Sequence, residues 1–129
     1  MAELATYVGI EPRSINNGTT ALVRGVRVTR ASDGTVAVAD ATTRGDYVTL
    51  HDIAASTTTV TESGSAASMS GGGKVPALAS EATVVGDDAY AAASGKFSKT
   101  STNAAFVGRW TLAASGNNVL GEVELLDVK

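Results

Sequence analysis

Residues 84–126 read VVGDDAYAAASGKFSKTSTNAAFVGRWTLAASGNNVLGEVELL, and this stretch decides the fold class. Its aromatic and β-branched residues fall in short runs. The runs are separated by Ser94-Gly95, Thr102-Asn103 and Ser115-Gly116-Asn117-Asn118, residue types that favour tight turns. Ala89-Tyr90 precedes the first turn and Lys96-Phe97 follows it. Phe106, Val107, Trp110 and Leu112 form the next apolar run. In the last, Val119, Val123 and Leu125 alternate with Leu120, Glu122 and Glu124, the period that buries one face of a strand and exposes the other. The stretch predicts a β-meander of hairpins with Trp110 in the core and Arg109 facing outward.

Working towards the N-terminus, the same signals recur. Asn16-Asn17-Gly18 predicts a turn, because Asn and Gly tolerate positive φ. Ala21 to Arg30 predicts a strand in which Val23, Val26 and Val28 alternate with Arg24, Arg27 and Arg30, with Gly25 as a bulge. That strand would present a solvated basic face, and Arg24, Arg27 and Arg109 are the candidate subunit-interface residues. Ser32-Asp33-Gly34 predicts a hairpin turn leading to Val36 and Val38, and Arg44-Gly45-Asp46 an ordinary turn before Tyr47 to Leu50. Gly25 to Gly34 and Gly86 to Gly95 share one spacing. Each ends in a Ser-(Asp)-Gly turn followed by an apolar residue, Val36 or Phe97, and each leads to an aromatic strand, Tyr47 or Trp110. The two halves read as related hairpin units, which suits a small closed or nearly closed barrel with few exposed edges.

Two segments depart from this pattern. Ser56 to Lys74, STTTVTESGSAASMSGGGK, holds too few apolar groups to offset its ordering entropy and predicts a long flexible loop, residues 56–74. Val75 to Leu78 resumes order, with Pro76 confining it to an edge or to the start of a strand. Residues 1–15 predict an extended N-terminal arm. A short helix is the first alternative, since Leu4, Tyr7 and Val8 have helical spacing before Gly9 and Pro12; a strand on the barrel's own sheet is the second.

The composition describes a thin core. Leu, Ile, Val and Phe make up about 22% of the 129 residues, near the level at which disorder sets in. With no Cys and one His, disulfides and metals are poor supplements, which leaves oligomerisation. The length predicts a single domain, residues 1–129. A net charge of −3 with scattered basic residues disfavours nucleic acid. There is no long apolar run to span a membrane and no signal core, so the mature chain is expected to begin near Met1, with cytoplasmic synthesis.

No reaction centre emerges. His51 and Asp52 form the one His-carboxylate neighbourhood, but adjacent strand residues point to opposite faces and no G-x-S-x-G elbow is present, so His51 reads as structural. Asp87-Asp88 reads as a turn rather than a cation site. Gly71-Gly72-Gly73-Lys74 fails the phosphate-loop pattern, because Ser68 and Val75 stand where it needs Gly and Ser or Thr. The expectation is a non-enzyme with no catalytic residue, metal or cofactor.

A Gly86-Asp87 turn into a Tyr90 strand, the Ser94-Gly95 hairpin, the Phe106-Val107-Gly108-x-Trp110 strand, a small-residue turn and the acidic, aliphatic strand Gly121 to Leu126 together resemble the C-terminal half of the bacteriophage capsid decoration (cement, or head-stabilising) proteins. The resemblance covers the last third of the chain. It implies an all-β barrel or sandwich on the outside of a phage head, homotrimeric at local three-fold positions. It also implies that the major capsid protein is the partner and that the arm residues Leu4, Tyr7 and Ile10 contact the capsid. The alternative reading is a host- or glycan-binding β module on a virion surface, which requires an exposed Trp110 or Tyr.

Overall fold

The computed structural model describes residues 12–128. It is all β. The first five strands are β1 (Pro12–Asn17), β2 (Arg27–Arg30), β3 (Thr35–Val38), β4 (Tyr47–Thr49) and β5 (Ser63–Ser68), which close a barrel in the order β1-β3-β2-β4-β5. The next five are β6 (Lys74–Leu78), β7 (Asp88–Ala91), β8 (Phe97–Ser98), β9 (Phe106–Leu112) and β10 (Leu120–Leu125), which form a sheet in the order β6-β10-β9-β7-β8.

The two halves have the same pairing. β2 lies between β3 and β4 as β7 lies between β8 and β9. β5 joins β4 to β1 as β10 joins β9 to β6. The parallel contact of Asn17 with Val36 that closes the barrel has a counterpart in the single parallel bridge of Ala79 with Phe97, so the second sheet is a barrel closed by one bridge. The agreement extends to single hydrogen bonds. Gly25 N–H donates to Thr49 O and Gly86 N–H to Trp110 O, both at 2.9 Å; Asn17 N–H donates to Glu62 O at 2.7 Å and Ala79 N–H to Val119 O at 2.9 Å. The repeat expected from the glycine spacing is therefore present in the backbone. One correspondence shifts: Val36 does match Phe97, but Trp110 matches Thr49, and Tyr47 matches Gly108.

The three turns expected in 84–126 hold. Ser94, Asn103 and Asn118, one in each, are the non-glycine residues with positive φ among the described residues, at 58°, 51° and 64°. The meander does not hold, because β9 pairs with β7 rather than with β8. β8 is two residues long, and Phe97 on it turns to Ala79 to close the half-barrel.

The predicted 56–74 loop is also corrected. Ser63–Ser68 is a strand paired on both sides, with β1 and β4, and only Ser56 to Glu62 and the Met69 to Gly73 turn remain outside regular structure. Small residues are what this place needs. Ala66 and Ala67 are wholly buried, and a Cβ at Gly64 would come within 2.6 Å of Ile53. Pro12 to Ile15, expected in the arm, belong to β1 on the barrel's own sheet. Asn16 and Asn17 are the end of that strand rather than a turn. Asn17 is buried, and its side-chain amide donates to Thr20 O, Ile53 O and Ala54 O, tying the chain where it leaves β1.

Candidate functional site

The expected strand Ala21 to Arg30 breaks at Gly25, and this break sets the site. Leu22 bridges Ile53, the chain turns at Gly25 with φ of 84°, and β2 starts at Arg27. The turn is tight because Gly25 O accepts the Leu78 N–H at 2.9 Å, and a Cβ at Gly25 would stand 3.0 Å from Leu78 N. Around the interruption Val23 is half-exposed and Arg27 wholly buried, against expectation, while Val26 and Val28 are buried and Arg30 is exposed as expected.

Arg27 thus departs from the solvated face and the subunit interface expected of it. Nε donates to Lys96 O at 3.1 Å, Nη1 to Thr43 O at 2.5 Å and Arg44 O at 3.4 Å, and Nη2 to Asp40 O at 3.1 Å and Ala92 O at 2.6 Å. All five N–H donors of the fork are used. Its carbon Cζ lies 5.7 Å from the Phe97 ring centroid. Burial pulls its pKa down to about 10 while Asp40 acts to raise it, so the guanidinium is charged at neutral pH.

Because Lys96 and Ala92 belong to the second half, Arg27 fastens one half to the other. Arg44 does the same from the Arg-Gly-Asp triplet. Nη1 donates to Phe106 O and Leu126 O at 3.0 and 2.7 Å, Nη2 to Met69 O at 3.0 Å, and the Asp127 carboxylate stands at 3.8 Å. Asp46 accepts the Arg30 N–H at 2.8 Å. The triplet is an internal clamp. Beneath the two arginines one apolar cluster runs from Val48, Ala67 and Met69 of the first half to Val75, Phe97, Trp110 and Val123 of the second.

The other singled-out residues are placed as follows. Trp110 is wholly buried, donates from Nε1 to Ser98 O at 3.1 Å and meets Phe97 edge-on at 6.4 Å, as expected of a core residue. Arg109 faces outward beside Asp88 at 3.9 Å, as expected. Arg24 is partly buried, and its backbone N–H donates to Asp52 Oδ1 at 2.9 Å. His51 Nε2 accepts the Ser65 N–H at 2.9 Å while Nδ1 lies 2.8 Å from Asp52 O. The ring therefore holds a strand and does not engage the Asp52 carboxylate. Asp87 Oδ2 accepts the Val84 N–H at 3.0 Å, the turn role expected of it. Leu4, Tyr7 and Ile10 lie outside the described residues.

Among the described residues no three His, Asp or Glu side chains gather as metal ligands, and no helix is long and apolar enough to cross a membrane. The surface carries a hollow of about 480 Å³ where the halves meet, lined by Val23, Arg24, Asp52, Leu78, Asn118 and Leu120, and exposed apolar side chains that include Val84, Val85 and Leu112. The role of Arg27 was missed because strand alternation places it opposite Val26 and Val28 but cannot foresee that the second half covers that face.

These features define a class: a two-part all-β protein whose joint is made by two arginines, one buried and one partly buried. No protein-family model matches the chain, and no curated protein sequence matches it. Among solved structures the chain is similar to the head fiber gp8.5 N base of bacteriophage phi29. The TM-score is 0.68 at 15% identity, over 93% of this chain and 97% of that one, so the two share a fold from end to end.

Proposed function

We propose that the chain is a non-enzymatic structural protein of a phage head, a decoration protein that seats on the outer surface of the capsid lattice and stabilises it. The observation that carries this reading is the end-to-end fold shared with a head fiber base. The turn order in residues 84–126, which resembles the decoration proteins, supports it independently. The partner is the major capsid protein, and the protein acts as a homotrimer at local three-fold positions of the capsid exterior. A ligand that binds the assembled lattice and not its separated parts stabilises the lattice by mass action. Association of three copies adds avidity to patches that are weak singly. Leu4, Tyr7 and Ile10 of the N-terminal segment supply apolar contacts to the capsid. The glycan-binding alternative is not supported by Trp110 or Tyr90, which are buried, and would fall to the partly exposed Tyr47 among the described residues.

The test is co-sedimentation of the purified protein with mature capsids of a matched phage. Saturable binding at a fixed number of copies per capsid, with a raised capsid disruption temperature, is expected. Protein left in the supernatant at all concentrations overturns the proposal. Leu4→Ser, Tyr7→Ser and Ile10→Ser should weaken binding without altering the unfolding of the barrel.

A further inference from the structure

The two halves touch through unlike surfaces, and the counterpart of each surface is left uncovered on the opposite half. The first half contributes the Gly25 turn, Arg27 and the outer side of Val48 and Ala67. The second contributes Leu78, Leu120, the Ala92 to Lys96 turn and Val75. By the strand register, the first surface recurs on the second half as Val84 to Gly86, Asp88, Arg109 and Glu124. The second surface recurs on the first half as Asn16, Ser63, the Ala31 to Thr35 turn and Arg13, with Arg30 in the place of Ala91. Val84 and Val85 are 62% and 65% exposed, and Arg13 and Arg30 are exposed. A Cβ at Gly34 or Gly86 would meet nothing within 4 Å, whereas one at Gly95 would stand 3.2 Å from Val26 of the other half.

We infer that copies of the chain associate head to tail, the Val84–Asp88 side of one seated on the Arg30–Thr35 side of the next, in the orientation that one half takes on the other within the chain. Charge carries the inference. Arg27 reaches the carbonyl of Ala92, next to Ala91; Asp88 stands in the place of Arg27, and Arg30 in that of Ala91. Val75 packs in one cluster with Ala67; Arg13 stands in the place of Val75, and Glu124 in that of Ala67. Opposite charges therefore face each other between copies where the chain itself uses apolar groups and arginine-to-carbonyl bonds. The exposed pair of Asp88 with Arg109 is solvent-screened, and a docked Arg30 joins it. Val23 lines the hollow with Leu78, Asn118 and Leu120, and Val84 of one copy meets Asn16, Thr61 and Ser63 of the next, which hold the same places. A contact between unlike surfaces closes into a ring where its rotation divides a full turn and otherwise continues as an open chain.

This rests on the self-association in the reading above and needs no capsid, so the two fail separately. The test is sedimentation velocity of the full chain over a range of concentrations, at low and at high salt. Wild type should associate, and more strongly at low salt. Val85→Asp, Asp88→Arg and Arg30→Asp should each raise the half-association concentration about tenfold or more while leaving Trp110 fluorescence unchanged. An equimolar mixture of the Asp88→Arg and Arg30→Asp chains should recover association between unlike chains, because every contact between unlike chains pairs opposite charges. Association unaffected by the reversals overturns this contact but leaves self-association standing. A monomer at every concentration and at low salt overturns both.

Discussion

The first and second halves share a backbone plan but not an interior. Ile15, Leu22, Val28 and Ile53 in the first half stand where Ala77, Thr83, Ala89 and Ala114 stand in the second. Conversely, Val36, Thr49 and Ala66 stand where Phe97, Trp110 and Val123 stand in the second half. Each half fills the same enclosure, one with many middle-sized residues and the other with two large aromatics among alanines. Large side chains at some positions are matched by small ones at others, which is how a close-packed core accommodates exchanges of size. What survives in both halves is the set of positions the backbone itself constrains: the Gly25 and Gly86 turns, the Gly34 and Gly95 turns, and Gly64 with Gly121 beneath a large side chain.

The largest contrast is expected at Arg27 and its counterpart Asp88. Arg27→Ala leaves five carbonyls without their donor at the joint and should cost about 3–5 kcal/mol. Asp88→Ala, on the solvated face, should stay within about 0.5 kcal/mol. Urea unfolding followed by Trp110 fluorescence measures both, and equal losses would show that the halves are joined symmetrically. A smaller contrast is expected at the paired glycines. In Gly121→Ala the Cβ meets the Leu112 carbonyl at 2.5 Å and the Trp110 ring at 2.8 Å, and should cost about 2–3 kcal/mol; in Gly64→Ala it meets movable side-chain ends of Ile53 and His51 and should cost about 1–2 kcal/mol.

His51→Leu places in the first half the residue that Leu112 is in the second. It removes the acceptor of the Ser65 N–H at a partly solvated edge and should cost about 1 kcal/mol in the same unfolding assay. The smallest effect is an acid sensitivity at Asp33 and Asp40, whose counterparts in the second half are Ser94 and Ser101. The hydroxyl and N–H of Thr35 hold the Asp33 carboxyl below the ordinary value of 3.8, and those of Thr42 do the same for Asp40. A carboxyl lowered by folding stabilises the fold above its unfolded value, and that contribution is lost as pH falls through the folded value. Thermal unfolding between pH 5 and 2, a window spanning about the aspartate range, should therefore decline more steeply for wild type than for the Asp33→Asn, Asp40→Asn double variant.

Much of the plan was legible in the chain. The turns at Ser32 to Gly34, Ser94-Gly95 and Asn103, the buried Trp110 and the outward Arg109 follow from turn chemistry and from period-two alternation, both local properties. The repeat was legible only through its glycines, because the two interiors had exchanged large and small residues. The strand at Ser63–Ser68 was hidden for a related reason. Composition measures how much apolar area a segment brings, whereas Ala66 and Ala67 are placed by the neighbours on either side and contribute a close fit. The joint residues Arg27 and Arg44 were illegible, since their carbonyl partners in the second half lie dozens of residues away.

The sequence by itself determined the all-β class, most of the turn positions and the spacing of two like units, because φ preferences and strand alternation act between near neighbours. Only the tertiary structure decided that β9 returns to β7, that β5 is a strand and that an arginine expected in solvent is the bolt between the halves. Pairing, burial and the satisfaction of buried donors are set by residues distant in the chain, and no local pattern contains them.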